Sequence, residues 1–390
     1  MKISRRWLPA IVTPAVIAGV TALPLQASAV DLPDLSAQEL MVMMQSSEPV
    51  EFSGIVVKKS NLGLPTLELS SMLSEAEVER MREKTPEEFA EFVPEVIETE
   101  GMAQAMELIT GEHRVRVFVG ETGMRAQILD RMSQRDLIVS GNTVWSYDSR
   151  EQTASFAELD EDKLAQGQQK AMAELDAYAA QIGLDLTDPQ AVSDYVMSQV
   201  GDDSEVSVGT DHWKAGRTAY QLIVTPNSDV SMVASVVVSI DSETGMPLAL
   251  EVNSIAQAEP AMEIAFESIS FADQDESLFS FTPPAGTTVT NLNEMKQEKP
   301  DLEMWMDMKE MESLEQKPEP QMLGEGWATV VHMPASGEMD MFSEGLFAEL
   351  MTVVDGGRVF TTPLVNVFVA DSGDIYAGAV TVDHLLSLAK

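Results

Sequence analysis

Apolar and polar side chains alternate along much of this chain with the period of two that is typical of β-strands. The clearest pattern lies in residues 216–286, where apolar stretches are separated by turn residues such as Thr244-Gly245-Met246-Pro247. Short stretches of this kind, each followed by a turn, are typical of successive antiparallel hairpins. The pattern therefore predicts an antiparallel sheet, and this stretch contains no grouping of residues that is typical of catalysis.

Further strands are predicted before this region. Alternating stretches occupy residues 51–58, 113–119, 124–130, 135–140 and 143–148. The last two are joined by Gly141-Asn142, a dipeptide that favours the tight turn of a hairpin.

Two helical insertions interrupt the strands. The first follows residues 51–58 and contains capping signals at Ser74-Glu75-Ala76-Glu77 and Thr85-Pro86, after which apolar residues recur at helical spacing. The second covers roughly residues 160–200, with a helix stop at Gly183 and a new start at Asp188-Pro189. The large apolar residues of the first insertion are candidates for an adaptable lid over the sheet: Met72, Met81, Phe89, Phe92, Met102 and Met106.

The first 29 residues have the pattern of a signal peptide. Three basic residues precede an apolar stretch at 11–25, and Ala27-Ser28-Ala29 has the small-x-small form of a cleavage site. The alternative is a membrane anchor, but two prolines interrupt the stretch and it is short for a span. We expect cleavage after Ala29 and an extracytoplasmic protein. Ser4-Arg5-Arg6-Trp7-Leu8 leaves the export route, Sec or Tat, open.

Charge and cysteine content narrow the classes of partner. The chain has no cysteine and a net charge of −40, and loss of three basic residues with the signal peptide gives 21 basic against 64 acidic residues, or −43. Disulfides, a thiol nucleophile and a lipoprotein anchor are excluded. Nucleic acid and anionic lipid surfaces are disfavoured by repulsion. Solubility or salt tolerance explains the charge better than a basic partner does, and no later stretch is long and apolar enough to cross a bilayer.

The end of the chain changes character twice. Residues 291–324 are rich in Glu, Lys, Pro and Met and predict a linker. Residues 325–390 predict a small α+β module, with a helix at 341–353, strands around 358–369 and 375–382, and a short terminal helix. The linker methionines Met304, Met306, Met308 and Met311 have the chemistry of a Cu(I) site, but the general abundance of methionine favours simple packing.

Catalytic and cofactor motifs are not found. The sequence has no Gly-rich phosphate loop, no His-Glu-x-x-His and no Gly-x-Ser-x-Gly. The four histidines, His113, His212, His332 and His384, are far apart in the sequence, whereas a zinc site needs clustered ligands. We therefore expect no enzyme activity, no metal and no cofactor, and an extracytoplasmic hydrolase has no supporting motif.

Several short motifs resemble those of the LolA/RseB-like family in order and spacing. They are Phe52-Ser53-Gly54, residues 141–147, residues 216–226, residues 241–248 and residues 279–286. The resemblance covers residues 35–289 and is strongest to the actinobacterial LolA-like group. It implies an α+β, mostly antiparallel fold, in which an unclosed half-barrel and helical insertions enclose an apolar cavity that receives acyl chains. The domains would be a signal peptide (1–29), a LolA-like domain (30–290), a linker (291–324) and a C-terminal module (325–390).

This resemblance implies a non-catalytic carrier of lipid or of a lipidated protein. The alternative is an RseB-like regulator that senses lipid and contacts an anti-sigma factor or another membrane-anchored protein, with the C-terminal module in the corresponding place. The sequence leaves open whether the interior is open to a ligand or filled by its own side chains. The candidate cavity wall consists of Phe118, Trp145, Tyr147, Tyr220, Leu222, Val224, Val236, Val238, Leu248 and Leu250.

Overall fold

The computed structural model describes residues 30–47, 50–63, 111–129, 133–185, 188–201, 203–294, 320–335 and 350–389. The predicted signal peptide, the six lid candidates and the four linker methionines lie outside the described residues.

A large sheet of thirteen strands forms the main body of the described part of the chain. Its strands come from every predicted β region and from several short segments that the sequence pattern did not reveal. The strands are β1 Phe52–Ser60, β2 Gly111–Val119, β3 Gly123–Leu129, β4 Gln134–Ser140, β5 Thr143–Asp148, β6 Thr153–Glu158, β7 Ser204–Val208, β8 His212–Lys214, β9 Arg217–Pro226, β10 Val233–Asp241, β11 Pro247–Ser254, β12 Met262–Ser270 and β13 Thr288–Asn291.

The strand order shows that this sheet is not closed into a barrel. It runs β13-β6-β5-β4-β3-β2-β1-β12-β11-β10-β9-β7, with β8 paired to β9 beside that path. Neighbouring strands are antiparallel except β13 and β6, which are parallel. The pairing of β1 with β12 joins the early hairpins to the late ones, so the two halves of the sequence form one sheet. The predicted unclosed, mostly antiparallel fold is confirmed.

Three helices accompany the large sheet in the described residues: α1 Ala37–Ser46, α2 Glu161–Ile182 and α3 Pro189–Gly201. The second insertion was predicted correctly as α2 and α3. Helix α1 was not predicted, although its start carries a capping box. The Glu39 amide donates to Ser36 Oγ at 3.2 Å, and the Ser36 amide donates to the Glu39 carboxylate at 2.8 Å.

The C-terminal residues form a second sheet of six strands in the order β14-β15-β19-β18-β17-β16. One side of this sheet is covered by helix α4 Val382–Leu388, and the core includes Val330, Phe368 and Leu385. The strands are β14 Gln321–Leu323, β15 Val330–Met333, β16 Thr352–Val354, β17 Gly357–Thr361, β18 Asn366–Ala370 and β19 Ile375–Gly378.

The boundaries of this module differ from the expected ones. Strand β14 lies in the stretch predicted to be a linker, because Gln321–Leu323 pairs with β15. The predicted helix at 341–353 is wrong at its end, where Thr352 and Val353 belong to β16. The range 358–369, where strands were predicted, holds β17 and β18, and the Thr362 hydroxyl stabilises the turn between them by accepting from the amides of Leu364 and Val365.

The two sheets are joined by direct backbone hydrogen bonds. The Met232 amide donates to the Ala379 carbonyl at 2.8 Å, and the Thr381 amide donates to the Val230 carbonyl at 2.7 Å. Trp327 Nε1 adds a hydrogen bond of 2.7 Å to Ser204 Oγ. The C-terminal module therefore packs against the large sheet at the start of β10 and the start of β7.

Candidate functional site

The register of the large sheet assigns each side chain to one of two faces. Leu222, Val238, Leu250 and Ile264 are successive partners across β9, β10, β11 and β12, and Ile264 is paired with Lys58 on β1. Paired residues point to the same side of a sheet, and residues two apart in a strand do so as well. We call this side the α1 face, because helix α1 packs on it.

Seven of the ten predicted wall residues lie on the α1 face and three do not. Trp145 is paired with Ile138, Ile138 with Arg125, and Arg125 with Phe118. His113 is paired with Lys58 and therefore lies on the α1 face. Side chains alternate along a strand, and Phe118 is five positions after His113, so Phe118 points to the opposite face. Tyr147 shares that face with Trp145. The expected single wall is thus divided: Tyr220, Leu222, Val224, Val236, Val238, Leu248 and Leu250 are on the α1 face, and Phe118, Trp145 and Tyr147 are on the other.

The chain's own aromatic side chains fill the opposite face around Trp145. The Trp145 ring stacks on Phe156 with centroids 4.7 Å apart, and Phe281 lies 5.3 Å from Trp145 and 5.4 Å from Tyr147. Phe279 is buried against Gly123, where an added Cβ would come within 2.7 Å of the Phe279 Cβ. The segment after β12 therefore covers this part of the sheet, and Trp145 and Tyr147 belong to a packed aromatic core.

Helix α1 covers one end of the α1 face. Leu40 is fully buried against Tyr220, Leu222 and Ile240. The Tyr220 hydroxyl donates a hydrogen bond of 3.2 Å to the Pro33 carbonyl, just before the helix. Tyr220 and Leu222 therefore contact the chain's own N-terminal helix.

The C-terminal module covers the other end of the α1 face. Leu364, at the turn between β17 and β18, packs with Val233 and Ala261, and Trp327 joins the same cluster. The partly buried residues of this cluster on the α1 face are Val236, Val252 and Met262, from β10, β11 and β12.

A row of apolar side chains crosses the sheet between these two covers, in which Val238 packs against the cluster around Leu40 and Ile264 against the cluster around Val115. It consists of Val238, Leu250 and Ile264, followed on the next strand by Lys58, and we call these four residues the apolar strip. Leu250 is 39% exposed, which is high for a leucine in a central strand. With strands about 4.8 Å apart, the strip crosses roughly 14 Å of the sheet from Val238 to Lys58.

The strip ends at two buried polar side chains that sequence reasoning missed. Lys58 is 4% exposed, and its partner in β2, His113, is 5% exposed. Burial lowers the pKa of Lys58 to about 8, because an ammonium group is stabilised less in an apolar environment than in water. An available signal was the alternation in β1, which places Lys58 on the same face as Val56.

The charged groups of the opposite face form ion pairs with one another. Lys214 Nζ lies 2.9 Å from the Glu263 carboxylate and 3.1 Å from that of Glu251, and Lys59 lies 3.3 Å from Glu263. Burial alone would raise the pKa of Glu263, but the hydrogen bonds and charges of the two lysines outweigh it and lower that pKa. These ion pairs lie on the side of the sheet opposite to Lys58.

Among the residues that the structure describes, no three His, Asp or Glu side chains come together in an arrangement that could hold a metal ion. Over the same residues, no helix combines the length and the apolar character needed to traverse a bilayer.

Comparison with solved structures finds similar proteins at low sequence identity. The chain of the Pseudomonas aeruginosa MucA/MucB complex that matches is 12% identical, with 90% of this chain and 96% of that chain covered and a TM-score of 0.39. An uncharacterised conserved protein from Thermus thermophilus is 8% identical over 65% of this chain and 98% of its own, with a TM-score of 0.31. A LolA superfamily protein from Nitrosomonas europaea is 10% identical over 64% of this chain and 99% of its own, with a TM-score of 0.21.

No family model and no curated protein matches the chain. MucB and a LolA superfamily protein are among the structural matches, and this agrees with the resemblance of the sequence to the LolA/RseB-like family. The stronger resemblance to the actinobacterial LolA-like group stays a prediction. Because every TM-score given above is below 0.5, we argue function from the chain's own residues.

Proposed function

We propose that this protein is a non-catalytic extracytoplasmic carrier that binds acyl chains of a lipid or a lipidated protein on the apolar strip of the α1 face. The observation that carries the proposal is Leu250, which is 39% exposed in the middle of a row of apolar side chains between α1 and the C-terminal module. A folded sheet normally buries such a row, since apolar surface in water is unfavourable. An acyl chain lying on it would remove that surface from water.

The energetics favour a long chain. Each methylene transferred out of water contributes roughly 0.8 kcal/mol, while association costs at least about 4 kcal/mol in lost translational and rotational freedom. Short chains therefore bind weakly, and a chain of ten or more methylenes binds without any specific polar contact. This expectation agrees with a site that carries apolar side chains and no catalytic grouping.

Export is part of the proposal and rests on the sequence of residues 1–29. The mass of the protein purified from the cell envelope tests it, because cleavage after Ala29 leaves Val30 as the first residue. A mass that retains the first 29 residues would remove this part of the proposal.

The carrier function is tested by native mass spectrometry and lipid extraction of the protein purified from its own host. We expect bound molecules with acyl chains in the wild type. Leu250→Glu puts a carboxylate on the strip, and we expect it to lower the bound lipid by about tenfold or more, because burying an unpaired charge costs several kcal/mol.

Ile255→Glu is the matched control, because Ile255 is 58% exposed and follows the end of β11, outside the strip. This variant should keep its lipid. Repeated extraction without lipid from the wild type, or equal lipid in both variants, would contradict the proposal.

A regulatory binding function is the second candidate, and one observation favours it. Strand β16 lies at an edge of the C-terminal sheet, and its Val353 is 76% exposed. An edge strand with an exposed β-branched residue is suited to pairing with an extended segment of another protein. The partner would be a membrane-anchored protein with an extracytoplasmic segment, such as the anti-sigma factor implied by the resemblance to RseB.

Substitutions in the two edge strands of the C-terminal sheet test partner binding separately from lipid carriage. We expect Val353→Lys to abolish co-purification of a membrane-anchored partner, because a lysine on an edge strand opposes added strands. Met322→Lys is the matched control on β14, the other edge strand, where Met322 is 67% exposed. If Val353→Lys retains the partner as the wild type does, β16 is not the contact.

A further inference from the structure

We propose that Met41, Met43 and Met44 of helix α1 form an oxidation site, and that their conversion to methionine sulfoxide releases α1 from the large sheet. The release follows from the packing of α1 alone. Its consequence for ligand binding rests on the proposed carrier function, to which it adds a form of regulation.

The three methionines lie on the side of α1 that packs against the sheet. They follow Leu40 in the helix by one, three and four residues, and they pack in the same cluster as Leu40. Tyr220 and Leu222 of β9 belong to that cluster. All three methionines are partly exposed, so a small oxidant has a route to this side of the helix.

Methionine carries all the sulfur chemistry of this chain, which has 25 methionines and no cysteine. In oxidation by hydrogen peroxide, the thioether sulfur forms a bond to one peroxide oxygen and loses two electrons, while the O–O bond breaks and the other oxygen leaves as water. Methionine sulfoxide reductases return the product to the thioether, with a dithiol as the reductant that becomes a disulfide. The modification is therefore reversible, and no thiol of the chain competes for the oxidant.

The surroundings of these side chains disfavour a sulfoxide. The other partly buried members of the cluster are apolar: Leu32, Leu35, Ala37, Val206 and Val238. The Tyr220 hydroxyl already donates to the Pro33 carbonyl at 3.2 Å. Within the described residues of the cluster, a sulfoxide oxygen therefore lacks a donor. An unsatisfied polar group of this kind shifts the equilibrium between packed and released helix by roughly fivefold to a hundredfold.

The start of α1 is held by hydrogen bonds that oxidation leaves in place. The Leu32 amide donates to the Asp211 carboxylate at 3.0 Å, and Ser193 Oγ of α3 donates to the Gln38 carbonyl at 3.4 Å. The second half of the helix packs through its methionines and through the close approach of the Met43 carbonyl to Gly245. We therefore expect residues 41–46 to leave the sheet while the preceding segment stays attached.

Release of α1 enlarges the apolar surface of the α1 face. Leu222, which is 5% exposed under α1, is the partner of Val238 and continues the apolar strip by one strand. Burial of one more leucine side chain by a ligand increases affinity by about tenfold or more. If the carrier function holds, the oxidised protein therefore binds an acyl chain more tightly than the reduced protein.

The inference is tested by treating the folded protein with hydrogen peroxide. Peptide mass spectrometry locates the sulfoxides, and hydrogen exchange at the amides of residues 41–46 measures the release, because a detached helix of ten residues is marginal in water. We expect sulfoxide at positions 41, 43 and 44 and exchange at least about fivefold faster. Reductase with a dithiol should restore the original rate. Absence of sulfoxide at these positions, or an unchanged rate in protein that carries it, would overturn the inference.

A variant that combines Met41→Leu, Met43→Leu and Met44→Leu keeps apolar packing at similar volume and removes the oxidation site. Its exchange in α1 should not respond to peroxide. Met322→Leu is the matched control, because Met322 is 67% exposed on β14, and this variant should respond as the wild type does. Equal acceleration in the triple variant would assign the response to other methionines and overturn the inference.

Folding of the triple variant is checked by circular dichroism. If it does not fold, the three single leucine variants take its place, and each should reduce the acceleration. The comparison of reduced, oxidised and repaired wild type needs no variant, so a result is obtained in either case.

Displacement of the neutral dye Nile red by methyl dodecanoate, before and after oxidation, tests the consequence for binding. We expect the ester to bind about tenfold more tightly to the oxidised wild type. If α1 is released and the affinity stays the same, the oxidation site stands and its link to the carrier site is refuted. If the ester binds neither form, the proposed carrier function fails, so the two failures are distinguishable.

Discussion

Arg217 and Asp241 form a buried ion pair across neighbouring strands β9 and β10. Arg217 donates to both carboxylate oxygens of Asp241, one of these contacts measuring 3.1 Å, and the Asp241 side chain is fully buried. The same carboxylate accepts from the amides of Glu243 and Thr244 at 3.1 and 2.8 Å. Asp241 thus fixes the turn between β10 and β11, whose Gly245 lies against the Met43 carbonyl of α1.

The first prediction concerns this pair. Asp241→Asn removes the charge and leaves Arg217 without its main partner, so we expect the free energy of unfolding to fall by about 3 kcal/mol. Urea denaturation at neutral pH measures this. Glu243→Gln is the control: Glu243 also contacts Arg217, but its side chain is 75% exposed, and its loss should change stability by less than about 1 kcal/mol.

The contribution of Asp241 to stability should depend on pH in the acid range. Burial alone would raise the pKa of Asp241, but the hydrogen bonds from Arg217 and Thr244 outweigh it and lower that pKa. A carboxyl with a lowered folded-state pKa contributes stability above its ordinary value near 3.8, and this contribution is lost as the pH falls through the folded-state pKa. The difference between wild type and Asp241→Asn should therefore shrink below about pH 4. A constant difference down to pH 2 would contradict this assignment.

The second prediction concerns the cover formed by α1. Leu40 is fully buried against Tyr220 and Leu222. Leu40→Ala should lower the free energy of unfolding by about 3 kcal/mol, the usual cost of a cavity left by a core leucine. Urea denaturation measures the change, and Ile255→Ala, at an exposed apolar position, should have little effect. An unchanged stability in Leu40→Ala would show that α1 is not packed on the sheet in solution.

The sequence pattern predicts strands well where they are long and alternate clearly. Strands β1 to β5 and β9 to β11 agree with it, because side chains at every second position share one environment. Strands of three to five residues, such as β7, β8 and β14, are too short for a period to show. The start of α1 carried a recognisable signal at Ser36 and Glu39, but the methionines that follow indicated no particular structure.

The face of each strand is the part that the sequence leaves undetermined. Phe118, Trp145 and Tyr147 have the same apolar character as Leu222 and Leu250, yet the register places them on the opposite face. Pairing between distant strands, above all β1 with β12, decides this, and no local pattern specifies such pairing. The same pairing buries Lys58 and leaves Lys59 partly exposed, a difference that two adjacent lysines do not reveal.

The third prediction concerns the junction between the two sheets. Trp327 Nε1 donates to Ser204 Oγ at 2.7 Å. Trp327→Phe and Ser204→Ala each remove this hydrogen bond, so a double-mutant cycle should give a coupling energy of about 1 kcal/mol. Hydrogen exchange at the amides of Met232 and Thr381, which bridge the sheets, should accelerate in both single variants. Additive effects with no coupling would show that the two side chains are not in contact.

The fourth prediction concerns the charge state of Lys58. Burial lowers its pKa to about 8, whereas the unfolded chain keeps the ordinary value of 10.5. Between these values the unfolded state binds more protons than the folded state, so the free energy of unfolding gains a contribution that rises with pH from about 8 to 10.5. Urea denaturation of wild type and Lys58→Met at pH 7.5 and pH 10 isolates this contribution, because the titration of other groups is common to both proteins.

The control for this pH dependence is Lys59→Met. Lys59 is partly exposed and paired with Glu263, so its removal should leave the difference between the two pH values as in the wild type. Lys58→Met should instead gain less stability than the wild type on going to pH 10, because it lacks the group that releases a proton on folding. If wild type and Lys58→Met show the same change with pH, the Lys58 ammonium is hydrated in solution, and the polar end of the apolar strip is open to water.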